Sequence, residues 1–260
     1  MPVFGYLYGY RRTAAKSQPR IAILDLSVVI PVRNEAANIA PLVGEIRAAL
    51  DGRLDYEIVY VDDGSSDGTV AEIERLQPGV PGLRLVRHRA RAGQSAAIRT
   101  GVKAATAPWI ATLDGDGQND PADIPRLWAM ARKTADARHV LITGRRAKRR
   151  DSAMKRFASR VANGVRGRML GDDTPDTGCG LKLFARALYL DLPFFDHQHR
   201  FLPALAIREG GRVVSVPVNH RPRERGTSNY GTLDRLWIGI VDLIGVMWLK
   251  RRAGQAVLRE

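Results

Sequence analysis

Asp114-Gly115-Asp116-Gly117-Gln118 sets two carboxylates at i and i+2 and an amide oxygen at i+4, directly after the apolar run Trp109-Ile110-Ala111-Thr112-Leu113. Oxygen donors spaced this way suit a hard divalent cation such as Mg²⁺ or Mn²⁺, which keeps positions open for substrate phosphates. The glycines let the backbone turn tightly against a ligand. An acidic pair in a turn also has a plainer use, which is to satisfy local N–H groups. What accompanies the pair therefore decides the reading. Two further polar clusters are present, Pro31-Val32-Arg33-Asn34-Glu35 and Asp62-Asp63-Gly64-Ser65. A carboxylate such as Asp63 or Glu35 can accept hydrogen bonds from ribose hydroxyls or a base N–H, or can cap the turn it sits in.

Each cluster follows a segment that reads as a buried strand. Leu26–Ile30, Tyr56–Val61, Leu83–Val86 and Trp109–Leu113 are short apolar runs of strand length. Between them lie helical patterns: Ala36–Leu50 with Ile39, Leu42, Val43, Ile46 and Leu50 on one face, a second helix with Ser66 or Asp67 as its N-cap candidate, and Gln94–Ala105. This alternation predicts an α/β domain, a mostly parallel open sheet with helices on both faces. Ligands bind such sheets at the carboxyl ends of the strands, so the three polar clusters should meet on one rim. Further strands are expected at Val140–Thr143, Gly180–Phe184 and Arg212–Val218, and a helix at Phe201–Glu209.

The chain has 260 residues, enough for one large domain, and 41 Lys and Arg against 27 Asp and Glu give a net charge of +14. Such an excess attracts a polyanion: phosphorylated substrates, an anionic membrane face or nucleic acid. The single cysteine, Cys179, excludes an internal disulfide and reads as a small packed residue. Residues 1–25 form a tail with Tyr6, Tyr8 and Tyr10 whose first twenty residues lack the apolar core of a signal peptide. No run reaches the length of a membrane span. There is no G-x-x-x-x-G-K-[ST] loop and no G-x-G-x-x-G turn after the first strand, so P-loop and dinucleotide-binding functions lose their main support. His197-Gln198-His199 lacks a third metal ligand and reads as surface or groove.

Taken together and in this order, the three clusters resemble the family-two glycosyltransferases. The second half narrows the resemblance. Gly144-Arg145-Arg146, a basic segment with Lys155, Arg156 and Ser159, Asp176-Thr177-Gly178, and Arg223-Glu224-Arg225-Gly226-Thr227-Ser228-Asn229-Tyr230 are similar to the polyprenyl-phosphate sugar synthases, a group that includes dolichyl-phosphate mannose synthase and bacterial undecaprenyl-phosphate enzymes. The resemblance spans about Leu26 to Gly231. It departs at Gly117, where the group often has a larger apolar residue, near Cys179, where it often has serine, and at Asn229, where it often has lysine. The resemblance implies a glycosyltransferase A-type fold over residues 26–231 and an inverting transfer from a GDP- or UDP-linked sugar to a polyprenyl phosphate. Pro31, Glu35, Asp63 and Arg223 would hold the nucleotide. Asp114, Asp116 and Gln118 would hold Mg²⁺ or Mn²⁺. Arg146, Arg156 and Ser159 would position the lipid phosphate, which is already ionised and needs no strong base. Asp176 would orient acceptor or sugar, or simply cap its loop.

Residues 232–260 carry an apolar segment, Leu233–Leu249, ending in Lys250-Arg251-Arg252. Leu236, Trp237, Ile240, Ile244, Met247 and Trp248 recur at helical spacing, and Asp242 argues against deep insertion. The segment reads as an interfacial helix on the cytoplasmic membrane face; the alternative is a core helix or one that pairs two copies as a homo-oligomer. Two rival functions remain. A family-two transferase with a saccharide acceptor would need a carboxylate base. A nucleic-acid-binding protein would account for the charge, but no such motif is present and the acidic clusters are misplaced for a phosphate track, so no nucleic-acid partner is expected.

Overall fold

The computed structural model describes residues 24–134, 139–146, 164, 166–172, 174–222, 233–252 and 254. Arg156, Ser159, Arg223 and most of the N-terminal tail lie outside them. Seven strands form one sheet: β1 (Leu26–Val32), β2 (Tyr56–Asp62), β3 (Leu83–Arg87), β4 (Trp109–Thr112), β5 (Val140–Arg146), β6 (Lys182–Ala185) and β7 (Arg212–Val218). Their order is β3-β2-β1-β4-β6-β5-β7, and all neighbours run parallel except that β6 is antiparallel to both β4 and β5. The expected strand at Gly180–Phe184 forms two residues later, because Gly180 belongs to the loop that reaches the rim.

Two apolar layers hold the sheet. On one face β1 contributes Leu26, Val28, Ile30 and Val32, packed against α1 (Ala36–Leu50), α2 (Thr69–Leu76) and α4 (Ile124–Arg132). On the other face Val29, Val59 and Val61 meet α3 (Gln94–Ala104), α5 (Arg186–Asp191), α6 (Leu202–Arg208) and α7 (Leu233–Arg251). Alternate residues of one strand thus serve both layers, which is why the strands read as continuous apolar runs. Helix α1 forms over its expected span, with the five apolar positions buried.

The helices begin close to where the sequence places them, with one correction. Helix α2 takes Gly68 as its N-cap and has no side-chain cap. Asp67 accepts instead from the backbone N–H and the hydroxyl of Thr69, at 3.0 and 2.5 Å, a local turn that precedes the helix.

Helix α7 docks one side on the body of the domain. Val246 is buried, and Leu243 and Met247 pack on the second layer. Asp242 faces the body, not solvent, and accepts from or bonds to His197 Nδ1 at 3.0 Å. The opposite side leaves Ile238, Ile240, Val241, Ile244 and Trp248 exposed, Trp248 by 59%. Met247 therefore belongs to the docked face and not to the outer stripe. Among the described residues no helix is long and apolar enough to cross a membrane.

Candidate active site

A cleft of about 760 Å³ opens where the strand order reverses between β1 and β4, the position at which open α/β sheets bind ligands. Pro31, Glu35, Asp63, Asp114, Asp116 and Gln118 all line it, so the structure brings together every described residue assigned to nucleotide or metal. Arg33 of the first polar cluster and His199, which read as surface or groove, line it too, and so do four residues the sequence did not single out: Gln94, Gly180, Lys182 and Arg200. No local pattern marks them, since they come from a helix start, an antiparallel strand and a turn.

On one side the loops after β1 and β2 are cross-linked. Asn34 sits in the left-handed region (φ 57°), a conformation asparagine tolerates better than most residues. Its N–H donates to Ser65 Oγ at 3.0 Å and its Oδ1 accepts from Ser66 N–H at 2.8 Å. Glu35 accepts from Asn38 Nδ2 at 2.6 Å. Asp63 accepts from Ala92 N–H (2.7 Å), Gly93 N–H (2.9 Å) and meets His88 Nδ1 (2.8 Å). Burial would raise its pKa, but these partners outweigh burial and hold the carboxyl below its usual range. Gly64 is required here. It has φ 72°, and a Cβ would lie 2.9 Å from Arg91 N.

At the centre, Asp114 and Asp116 face the cleft. Asp114 N–H donates to Asn119 Oδ1 at 3.0 Å, and Asp116 Oδ1 accepts from Gln118 N–H at 3.1 Å. The Gln118 side chain donates to the Arg221 carbonyl at 3.3 Å. Asp114 Oδ1 accepts from Gln94 Nε2 at 2.9 Å. Burial first, and then the like charge of Asp116, push the Asp114 carboxyl up to about 6, against the pull of Lys182 and Arg146. A buried carboxyl whose proton is held by burial and by a neighbouring carboxylate fits a divalent cation, which would relieve the repulsion. Among the described residues no third Asp, Glu, His or Cys joins them.

The raised Asp114 carboxyl has a consequence for stability. Its folded pKa lies above the ordinary value, so its contribution to stability is complete below about pH 4 and is lost as pH rises through about 6. At neutral pH the ionised group should weaken the cation-free fold by an amount on the order of 2–3 kcal/mol. Asp114→Asn is therefore expected to raise the melting temperature in chelator at pH 7.5 by a few degrees, with the gain vanishing below pH 4. Melting curves across that range check this, and an unchanged or lower melting temperature at pH 7.5 would contradict it.

On the other side, Arg146 is not free. Its N–H, Nε and Nη2 all donate to Asp176, at 3.1, 2.7 and 2.7 Å, a bidentate pair with both side chains largely buried. Asp176 thus holds Arg146 in place. Cys179 is packed in the core, where burial pushes its thiol pKa up. Buried Lys182 donates to the Cys179 carbonyl. His199 Nδ1 bonds Ser95 Oγ at 2.7 Å, and desolvation, followed by the nearby Lys182 and Arg200, pushes its pKa down to about 3.

The chain matches the family description "Glycosyl transferase family 2" over residues 27–192. It is 36% identical over 235 residues to a dodecaprenyl-phosphate galacturonate synthase of Rhizobium johnstonii, covering 88% of this chain and 68% of that protein. It is 37% identical over 211 residues to an undecaprenyl-phosphate 4-deoxy-4-formamido-L-arabinose transferase of Edwardsiella ictaluri, covering 80% of this chain and 63% of the relative. The chain therefore spans about two thirds of the length of these curated relatives. In fold it is similar to a glucosyl-3-phosphoglycerate synthase of Mycobacterium tuberculosis solved with Mn²⁺, uridine diphosphate and glucosyl-3-phosphoglycerate, with a TM-score of 0.64 and 18% identity over 90% of this chain and 82% of that one. With residues 27–192 matched, about two thirds of its length, and a relative 36% identical over 88% of the chain, the chain belongs to glycosyl transferase family 2.

Proposed function

We propose that this glycosyltransferase moves a sugar from a uridine diphosphate donor to a polyprenyl phosphate, with inversion, on the cytoplasmic face of a membrane. One observation carries the choice of acceptor. Each carboxylate lining the described cleft is committed: Asp63 to the His88–Gly93 loop, Glu35 to Asn38, and Asp114 and Asp116 to each other as the acid pair. Asp176, just beyond, is committed to Arg146. Among the described residues lining the cleft no further carboxylate stands as the base that a saccharide hydroxyl requires, whereas a phosphate monoester arrives as its own nucleophile. The names of the relatives point the same way.

Asp63 also bears on the donor. A carboxylate has about four acceptor positions, and three are filled by the loop. The one left fits the single ring N–H of uracil better than the paired N–H groups of guanine. Asp114 and Asp116, with Gln118 beside them, would hold Mg²⁺ or Mn²⁺, which neutralises the charge developing on the departing diphosphate. Arg223, Arg156 and Ser159 keep the roles the resemblance implies, on diphosphate and lipid phosphate. Transfer of radiolabel from a panel of UDP- and GDP-sugars to undecaprenyl phosphate, with Mg²⁺ or Mn²⁺, tests the reading. Label appearing only on a saccharide acceptor would overturn it.

The outer stripe of α7 supports the membrane contact. Ile238, Val241, Ile244 and Trp248 are exposed beside Arg251 and Arg252, an apolar strip ending in cations that suit anionic headgroups at about 1 kcal/mol each, whereas Lys250 is turned to the Leu170 carbonyl. Because α7 also packs on the body, charge substitution tests this better than truncation. Ile244→Glu with Trp248→Glu should lower sedimentation with anionic vesicles roughly tenfold or more. Wild-type sedimentation by that variant would leave a homo-oligomer as the occupant of the stripe, which light scattering would show.

A further inference from the structure

The described cations that line the cleft are Arg33, Arg91, Lys182 and Arg200. Arg91 has a partner, and the Lys182 ammonium is held by the Cys179 carbonyl. Arg33, in the loop after β1, makes no side-chain hydrogen bond or ion pair among the described residues, and its Nε is buried without a partner. Arg200 comes from the turn before α6. Among the described residues its guanidinium makes no hydrogen bond and no ion pair, although the backbone that carries it is firmly fixed.

The fixing is extensive. His197 begins the turn in the left-handed region (φ 62°), and Arg200 N–H donates to its carbonyl at 3.0 Å. Gln198 is buried, donates to the Pro193 carbonyl at 3.0 Å and accepts from Tyr189 at 3.2 Å. His199 bonds Ser95 through its ring and its N–H. Phe201 is buried in the second layer. A guanidinium carried on a fixed backbone at the edge of a cleft gains charge-assisted hydrogen bonds once an anion arrives.

Two features say which anion. First, the walls of the cleft belong to opposite faces of the sheet. Gln118 is braced through Arg221, which pairs with Glu45 of α1 on the first face. Arg200 rises from the second face, where α3, α6 and α7 pack. The cleft is thus lined by groups carried from both faces of the sheet, with Arg200 on the face where α7 packs. Second, His197, three residues before Arg200, is bonded to Asp242 of α7. The turn from His197 to Arg200 therefore joins the helix with the exposed apolar stripe to the interior of the cleft.

We propose that Arg200 binds the phosphate of the polyprenyl acceptor as it enters from the α7 side. This assignment rests on the acceptor reading above. It also supplies a cation where Arg146, neutralised by Asp176, offers less free charge than the sequence suggested. The planar guanidinium presents paired donors that match phosphate oxygens. In the attack, a phosphate oxygen forms the new bond to the anomeric carbon, the bond from that carbon to the diphosphate breaks, and its electron pair leaves with the diphosphate.

The full chain carrying Arg200→Ala or Arg200→Lys tests this, with two readouts. One is the KM for undecaprenyl phosphate at saturating donor; the other is calorimetric affinity for UDP with Mn²⁺. Arg200→Ala should raise the acceptor KM roughly ten- to hundredfold and leave UDP affinity unchanged. Arg200→Lys should fall between, since it keeps the charge without the fork. The melting temperature should not change, because the side chain bonds to no described residue. Loss of UDP affinity with an unchanged acceptor KM would place the guanidinium on the donor and overturn the assignment, as would no change in either readout. If the wild-type enzyme labels only saccharides, the acceptor reading itself fails, and this assignment with it. If it labels polyprenyl phosphate and Arg200→Ala keeps a normal KM, only the assignment fails.

Discussion

Replacing Asp116 by alanine is expected to lower kcat/KM for sugar transfer by roughly a thousandfold, equivalent to about 4 kcal/mol of transition-state stabilisation. The carboxylate faces the cleft, and one of its partners is local, the Gln118 N–H at 3.1 Å. Its removal should therefore leave the melting temperature close to that of the wild type. A nucleoside diphosphate leaves slowly while its developing charge is uncompensated, and one carboxylate cannot hold a divalent ion as two can. Excess EDTA should depress the wild type to a similar level and change the variant little. Transfer assays with and without chelator check both statements. Full activity of Asp116→Ala, or of wild type in EDTA, would remove the metal from the reaction.

The acid pair was legible because its chemistry is local. Five consecutive residues carry the donors and the turn, and the strand before them is an unbroken apolar run. The same holds for Asn34-Glu35 and Asp62-Asp63. Parallel βα alternation places the ends of successive strands on one rim, so three clusters distant in sequence had to converge. What stayed hidden depends on the antiparallel strand β6, inserted between β4 and β5. That insertion brings Lys182 opposite Thr112 and places Asp176 on Arg146, 30 residues earlier. No periodicity in the sequence encodes such a reversal. His199 meets Ser95 across 104 residues and His197 meets Asp242 across 45, pairings that only the packing of the second layer creates.

The reading of α7 shows a different limit. Its apolar residues were legible as a helix, but they cover more than one face. A helix that is apolar on two sides gives no sign of which side docks. Asp242 looked like a barrier to burial when considered alone. With His197 as its partner it is a polar contact on the docked side, and the outer stripe is more apolar than the sequence suggested.

Gly180→Ala is expected to disable the site without removing any candidate ligand. The Asp114 carboxylate lies directly against the Gly180 backbone. A Cβ there would fall within 2.6 Å of Asp114 Oδ1 and closer still to Cγ and Oδ2. Contacts this short cannot be borne, and Asp114 has little room to yield, since Gln94 holds Oδ1 at 2.9 Å and Asn119 holds its N–H at 3.0 Å. The carboxylate should turn away from Asp116 and the paired oxygen donors should separate. Mn²⁺ affinity measured in the presence of UDP should fall roughly tenfold or more, and transfer by about a hundredfold, while crowding weakens the fold by about 1–3 kcal/mol. Gly178→Ala is the control. Its Cβ would meet Arg146 Nη2 at 3.4 Å, an ordinary contact, and Mn²⁺ affinity should stay near the wild-type value. Equal losses in both variants would point to general disruption of the loop, and a normal Mn²⁺ affinity in Gly180→Ala would show that the orientation of Asp114 does not set the site.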